Sequence, residues 1–297
     1  MQPASGKRRR EPDGAQAHGA TGDTGSAGAT GSAGATGATG STRGAGAGGF
    51  ARHAVALAGR PWDQRRRALR GMFEEIAPRY DRLNTILSLG LDRRWRRWAA
   101  RSLGGAPAGP CCDLASGTGA LAAALAESGR PCVRADLSAA LLRLGAVAAN
   151  GRPTGGGPPD GGSPAVACEM DRLPFRDGAF TAVGQGFALR HCHEFGAFFR
   201  ELHRITRPGG RIALLDMRYP ADGAFGPLYR LYFRAVLPRL AALCGGERSA
   251  YEMMVTSVRG LPEEDLLRRV LEAAGFVEVA SDRGFLGAVR LLRARRP

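Results

Sequence analysis

Between Pro110 and Met217, short apolar runs alternate with helical stretches, and this alternation constrains the fold more than any other feature. "CCDLASGTGALAAALAES" reads as a strand ending at Asp113 to Ala115, a glycine turn, and a helix from Ala120. "CVRADLS" is a second strand with an acid at its carboxyl end. "AVACE", "AFTAVGQGF" and "GRIALLDM" supply three more, with "EFGAFFRELHRIT" as a helix before the last. Strands alternating with helices predict a doubly wound α/β sheet with ligands at the strand carboxyl ends, near the switch point.

The glycine turn alone is a weak signal. Gly117 and Gly119 let backbone approach a ligand, and the new helix presents free N–H groups at its amino end. Nucleotides, phosphates and methyl donors all use this device. No Walker lysine follows the glycines, which argues against a nucleoside triphosphate. Asp136 closes the second strand, where a carboxylate accepts both hydroxyls of a ribose. Glu169 follows the third strand and can receive the exocyclic amine of an adenine. A dinucleotide site remains an alternative, as does a purely structural Asp136 that satisfies a helix amino end.

Outside this core the composition changes. The first fifty residues, "GSAGATGSAGATGATGSTRGAGAGG" among them, contain almost nothing to bury and are expected to be disordered. The folded part is expected from about Phe50 or Trp62. The "KRRR" at Lys7 to Arg10 is read as a solvated charge cluster, since acids follow at once. The Gly- and Pro-rich "NGRPTGGGPPDGGSP" reads as a surface insertion. No apolar run approaches the roughly 18 to 20 residues of a membrane span, and no secretory signal is visible. Six cysteines without CxxC spacing point to buried thiols and a reducing cytoplasm.

"DLASGTG", "ADLS", "LPFRDGAF", "GFALRH" and "ELHRITRPGGRIALLD", in this order, resemble class I S-adenosylmethionine-dependent methyltransferases. More narrowly, "MFEEIAPRYDRLNTILSLGLDRRWRRW" resembles the opening signature of the ubiquinone/menaquinone biosynthesis C-methyltransferase family. "LYRLYFRAVLPRLAALCG" and "YEMMVTSVRGLPEEDLLRRVLEAAGF" also fit it. The resemblance covers roughly residues 70 to 293. It implies an α/β fold: a seven-stranded Rossmann-like sheet with helices on both faces and a helical N-terminal lid. One antiparallel strand is expected near the carboxyl end, within "FVEVA" and "GAVRLLRA". Three regions follow: a tail over 1–49, a helical lid over 50–109 and the methyltransferase domain over 110–297.

The resemblance further implies S-adenosyl-L-methionine as donor and a reduced prenylated quinol, a demethylmenaquinol or related benzoquinol, as acceptor. The donor would rest on Asp113, Gly117, Thr118 and Gly119, with Asp136 on its ribose, Glu169 and Met170 near its adenine, and Leu137 among its contacts. Arg190, His191 and Tyr80 would act on the acceptor. This chain departs from the family pattern at Ala120, where an Asp is common, at Glu169 in place of Asp, and at His191 in place of Asn. A paralogue acting on another phenolic acceptor is the alternative.

In this chemistry the sulfonium is already electrophilic, and the enzyme chiefly has to align a nucleophilic carbon with its methyl group. A quinone is a poor nucleophile, so the acceptor is the quinol, activated by loss of a phenolic proton. His191, His193 and Tyr80 are candidate bases. Arg190 stays charged and is assigned to stabilising the phenolate or orienting a water. "HCHEF" invites a metal reading, but adjacent residues rarely converge on one ion and no metal is expected. His191 either lines the site or packs structurally.

On a single helix Leu87, Leu91, Trp95, Trp98 and Ser102 share a stripe, while Arg93, Arg96, Arg97 and Arg101 point elsewhere. The stripe is expected to pack on the core as a lid, its basic face left free for anionic lipid at the inner face of the cell membrane. With a net charge of +15, nucleic-acid binding is the rival class. No nucleic-acid module is recognised, so no nucleic-acid partner is expected; an oligomer is left open. Phe225, Leu228, Tyr232 and Val236 recur at helical spacing and would help wall an apolar acceptor cavity, with Pro238 ending or kinking that helix.

Overall fold

The computed structural model describes residues 61–150, 163–219, 226–239 and 257–297. The readings of the 1–49 tail, the "KRRR" cluster, Phe225, Cys244 and nearly all of the Gly/Pro insertion fall outside these residues. Seven strands form one sheet in the order β3-β2-β1-β4-β5-β7-β6. They are β1 Cys111–Leu114, β2 Cys132–Asp136, β3 Ala165–Ala167, β4 Phe180–Gly186, β5 Thr206–Met217, β6 Val277–Gly284 and β7 Val289–Arg295. The first five run parallel, and β7 lies antiparallel between β5 and β6.

Parallel central strands are covered on both faces, which is why they read as continuous apolar runs. Side chains alternate along β5: Ile212 and Leu214 face one core, Ala213 and Leu215 the other. The first core is closed by Phe198, Phe199 and Leu202 of α6 (Phe195–Ile205) and by Leu267 and Leu271 of α8 (Glu264–Ala273). The second is closed by Trp95 and Ala99 of α3 (Asp92–Ser102) and by Leu121 and Leu125 of α4 (Ala120–Ala126). The remaining helix on the sheet, α5, spans Ala139–Asn150. Glu194 caps α6, its carboxylate accepting from the Gly196 and Ala197 N–H groups at 2.9 and 2.7 Å.

The Arg/Trp-rich opening stretch corrects the single-helix expectation. α1 (Trp62–Ile76) leads through a 3-10 turn into α2 (Tyr80–Leu87), and the chain breaks before α3. Leu89 and Gly90 take left-handed φ values of 52° and 75°. Gly90 N–H returns to the Thr85 carbonyl at 2.7 Å, a helix-ending bond that glycine favours. Leu87 and Leu91 therefore do not continue the tryptophan stripe along one helix. Trp95 is buried as expected. Arg96, placed by sequence on the free basic face, is buried too: it pairs with Asp92 one turn earlier and lies over the Phe187 ring at 5.1 Å.

Pro238 does not end its helix, which continues in helical backbone through Arg239; the irregularity lies in the turn before it. α7 (Gly226–Leu231) passes into a π turn over Tyr232–Val236, and the Leu237 N–H bonds back to the Tyr232 carbonyl. The proline that follows has no N–H with which to continue the ladder. Tyr232 is half-buried and Val236 exposed, so this face is not core. Among the described residues no helix is long and apolar enough to cross a membrane.

Candidate active site

The carboxyl ends of β1, β2 and β4 and the loop after β3 surround a cavity of about 80 Å³. Ala115 after β1 and Phe187 after β4 both line it, with φ values of 50° and 64°. Left-handed backbone at non-glycine residues is strained, and here it turns the chain at the two central strand ends.

The glycine turn is built as the sequence reading requires. At Gly117 (φ 56°) a Cβ would stand 3.2 Å from the Tyr80 ring, and at Gly119 (φ 92°) 2.8 Å from Arg134 Cδ. Asp136 holds this turn to β2: its carboxylate accepts from Gly117 N–H and Ser138 N–H, both at 2.7 Å. Burial raises its pKa, against the pull of those N–H groups. The structural alternative for Asp136 is therefore real. Two N–H groups do not exhaust the roughly four lone-pair positions of a carboxylate, and Asp136 still lines the cavity.

Asp113 sits behind the turn. It accepts from Ala122 N–H at 2.7 Å and so anchors the first turn of α4, while burial without a counter-ion lifts its pKa to about 7. Thr118 donates its hydroxyl to Asp81 at 2.6 Å. The cavity lining contains Leu137, Glu169 and Met170 but not Asp113, Gly117, Thr118, Gly119 or Arg190; Gly117 meets it through Tyr80. Glu169, expected at an adenine amine, is paired with Arg66 of α1. Among the described residues the buried Ser116 hydroxyl and Asp113 Oδ1 have no partner.

On the opposite wall Tyr80 meets Phe73 edge-on at 6.2 Å, and Phe73 meets His191 edge-on at 5.5 Å. Burial raises the Tyr80 phenol above its ordinary value, partly offset by Arg96 and Arg190. Burial, reinforced by the Arg190 charge, pushes His191 down to about 3, so its imidazole is neutral. Arg190 is fixed to the fully buried Asp216 through its backbone N–H at 3.1 Å and its Nη1 at 2.7 Å, while its Nε has no partner. His193 stacks on Trp62 at 4.4 Å and so points to a different partner from His191.

Sequence reasoning missed the roof. Trp62, Arg66, Leu69 and Phe73, all on one face of α1, line the cavity. Their spacing of four, three and four residues was the available signal. It also missed Arg134, whose stem backs Gly119.

This sheet order, with a glycine turn after β1 and an acid at the end of β2, defines the class I S-adenosylmethionine-dependent methyltransferase fold. A structure of the same class from Thermotoga maritima, a possible histamine N-methyltransferase, superposes with a TM-score of 0.52 at 15% identity, covering 77% of this chain and 99% of that one. The family model described as "ubiE/COQ5 methyltransferase family" matches residues 62–293, and the chain belongs to that family. It is 39% identical over 226 residues to the demethylmenaquinone methyltransferase of Mycolicibacterium gilvum, covering 76% of this chain and 93% of that protein. The protein of the same name from Mycolicibacterium paratuberculosis is 36% identical over 235 residues, 79% of this chain and 96% of its own.

Proposed function

We propose that this methyltransferase moves a methyl group from S-adenosylmethionine to a ring carbon of a reduced prenylated quinol, a demethylmenaquinol or a related benzoquinol. The observation that carries the reading is the meeting of two walls at one set of strand ends. One wall bears Asp136, Glu169 and the glycine turn; the other bears Tyr80, His191 and, behind them, Arg190.

The donor supplies an electrophilic methyl group when bound. Asp136 would accept the ribose hydroxyls, Leu137 would contact the donor, Met170 would lie near the adenine, and Glu169 would take its amine once released from Arg66. Asp113 keeps the α4 amino end in place beneath Gly117, Thr118 and Gly119. On the acceptor side Arg190 stabilises the developing phenolate. Tyr80 keeps its proton and donates to the same oxygen, and the neutral His191 accepts from the second hydroxyl. With both groups poor bases in this state, the phenolic proton leaves to water; once the ring carbon carries the methyl group its own hydrogen is lost to water, the ring rearomatises and the phenolate oxygen takes back a proton.

Of the region expected as a lid, 50–109, helix α1 covers the cavity and acts as the lid, whereas α3 packs in the second core. Small-molecule sites are typically about 300 Å³ or larger. The cavity of about 80 Å³ beneath α1 is smaller, so α1 lifts to admit the donor. The enzyme works as a peripheral membrane protein where its long-tailed acceptor resides. Incubation with methyl-labelled S-adenosylmethionine and a panel of reduced demethyl-quinols tests the reading. Label should appear on a quinol ring carbon; donor binding without transfer to any quinol would overturn it.

A further inference from the structure

Among the described residues, five of the eight large apolar side chains left exposed are gathered in one place. Leu89, Leu231, Val236, Phe285 and Leu286 are 65, 58, 41, 38 and 75% exposed, and all five line one groove of about 340 Å³. They come from three separate segments: the α2–α3 turn, α7 with its π turn, and the β6–β7 turn. Both turns hold a leucine in left-handed backbone, Leu89 at φ 52° and Leu286 at φ 60°. The Tyr232 hydroxyl donates to the Leu87 carbonyl at 2.8 Å and pins the α7 segment beside the α2–α3 turn. A contiguous apolar patch of this kind marks an interaction surface.

A second cavity, of about 450 Å³, adjoins the groove: Met217 lines both, and a Cβ at Gly287 would stand 3.7 Å from Arg218 Nη1. Arg218, Arg259, Arg283 and Arg290 line it. Three carboxylates line it too: Glu264 pairs with Arg218 and Arg283, while Glu263 and Asp265 lie exposed at its edge, at the start of α8. Arg259 bonds only the Tyr219 hydroxyl and lies over that ring. Arg290 is 4% exposed; its Nη1 donates to the Pro262 carbonyl, and its Nε and Nη2 have no partner. Asp216, opposite it on β5, is engaged by Arg190. A buried guanidinium without its own counter-ion is costly, and an oxyanion in the cavity offsets that cost.

We infer that this face docks on a bilayer containing anionic phospholipid. The leucine tips enter the acyl boundary, and the arginine cavity takes a lipid phosphate. This rests on the membrane association proposed above and gives it a surface different from the α3 arginine stripe, whose Arg96 is buried. Charge complementarity favours this occupant, since the chain carries +15 and four arginines line the adjoining cavity.

Flotation of the full chain with vesicles tests it, using phosphatidylcholine alone or mixed with phosphatidylglycerol. The wild type should float with the mixed vesicles and not with phosphatidylcholine. Leu286→Asp should lower the bound fraction at least tenfold while methyl transfer to a water-soluble short-tailed quinol stays unchanged, so failure of docking is separable from failure of the methyl-transfer reading. Arg290→Met, and the surface variant Arg259→Ala should the first fold poorly, should each remove the preference for phosphatidylglycerol. Equal flotation of wild type and Leu286→Asp, or equal binding to both vesicle types, would overturn the inference. So would inorganic phosphate raising the melting temperature of the wild type but not of Arg290→Met in a protein that does not float, because the ligand would then be free phosphate.

Discussion

On the β1–β2 side of the sheet, buried carboxylates are met by backbone. Asp113 accepts from Ala122 N–H, and Asp136 accepts from Gly117 and Ser138 N–H. On the β5–β7 side the buried carboxylate gains a cation as well: Asp216 accepts from the Arg190 and Met217 backbone N–H groups and pairs with the Arg190 guanidinium, with Arg290 opposite it in register. The first arrangement is local, made by residues within about twenty positions, and it leaves carboxylate lone pairs free for a hydroxyl-bearing ligand. The second is long-range and places positive charge beside the buried carboxylate. The proposed donor half thus offers acceptors, and the proposed acceptor half offers cations.

The sharpest way to break this contrast is Arg190→Lys. If the guanidinium acts on a developing phenolate, turnover should fall about 100- to 1,000-fold with donor affinity nearly unchanged. Single-turnover methyl transfer and donor titration on the same folded variant measure both. A loss confined to donor binding would place Arg190 on the wrong side of the comparison.

Next in size is Asp136. Each charge-assisted ribose bond lost in Asp136→Ala should cost about 1.5–3 kcal/mol of donor affinity. Because this carboxylate also holds Gly117 and Ser138, the melting temperature should fall as well. Asp136→Asn should recover part of the melting temperature but not the donor affinity. Calorimetry that finds wild-type affinity in either folded variant would sink the cofactor assignment.

The two halves should also show opposite pH signatures. Asp113, lifted from 3.8 to about 7, contributes stability that is present below pH 4 and lost as pH rises through 7. His191, depressed from 6.5 to about 3, contributes stability that is present above pH 6.5 and lost as pH falls toward 3. Between about pH 4 and 6.5 these slopes, each at most about 1.4 kcal/mol per pH unit, oppose one another. Asp113→Asn should expose the His191 slope and His191→Asn the Asp113 slope, read by denaturant unfolding at several pH values. Parallel slopes in the two variants would refute the contrast.

The smallest effect is expected at the lid. The Arg66–Glu169 pair is about a third exposed at each partner, so Arg66→Ala should change stability by less than about 1 kcal/mol. With Glu169 released, donor affinity should rise a few-fold; a weaker affinity would mean that Arg66 itself contacts the donor.

Much of the donor half was legible because its logic is contiguous. A strand, a two-glycine turn and a helix occupy residues 111–126, and the turn's left-handed φ values demand glycine where glycine stands. The end of α2 was signalled by Gly90, yet the arginine and tryptophan periodicity ran across the break and was read as one helix. The burial of Arg96 was not legible, since Asp92 beneath it and Phe187 just after β4 make that position tolerable for a charge.

By itself the sequence determined the strand-and-helix alternation, the glycine turn and the acids at the ends of the first two parallel strands, because periodicity and backbone conformation are properties of neighbouring residues. Tertiary structure alone decided that Arg66 reaches Glu169, that Arg190 is locked to Asp216, that His191 is neutral, and that three distant leucine-bearing segments share one rim. Each of these depends on burial and on partners supplied from elsewhere in the chain, and desolvation is set by everything that packs around a group.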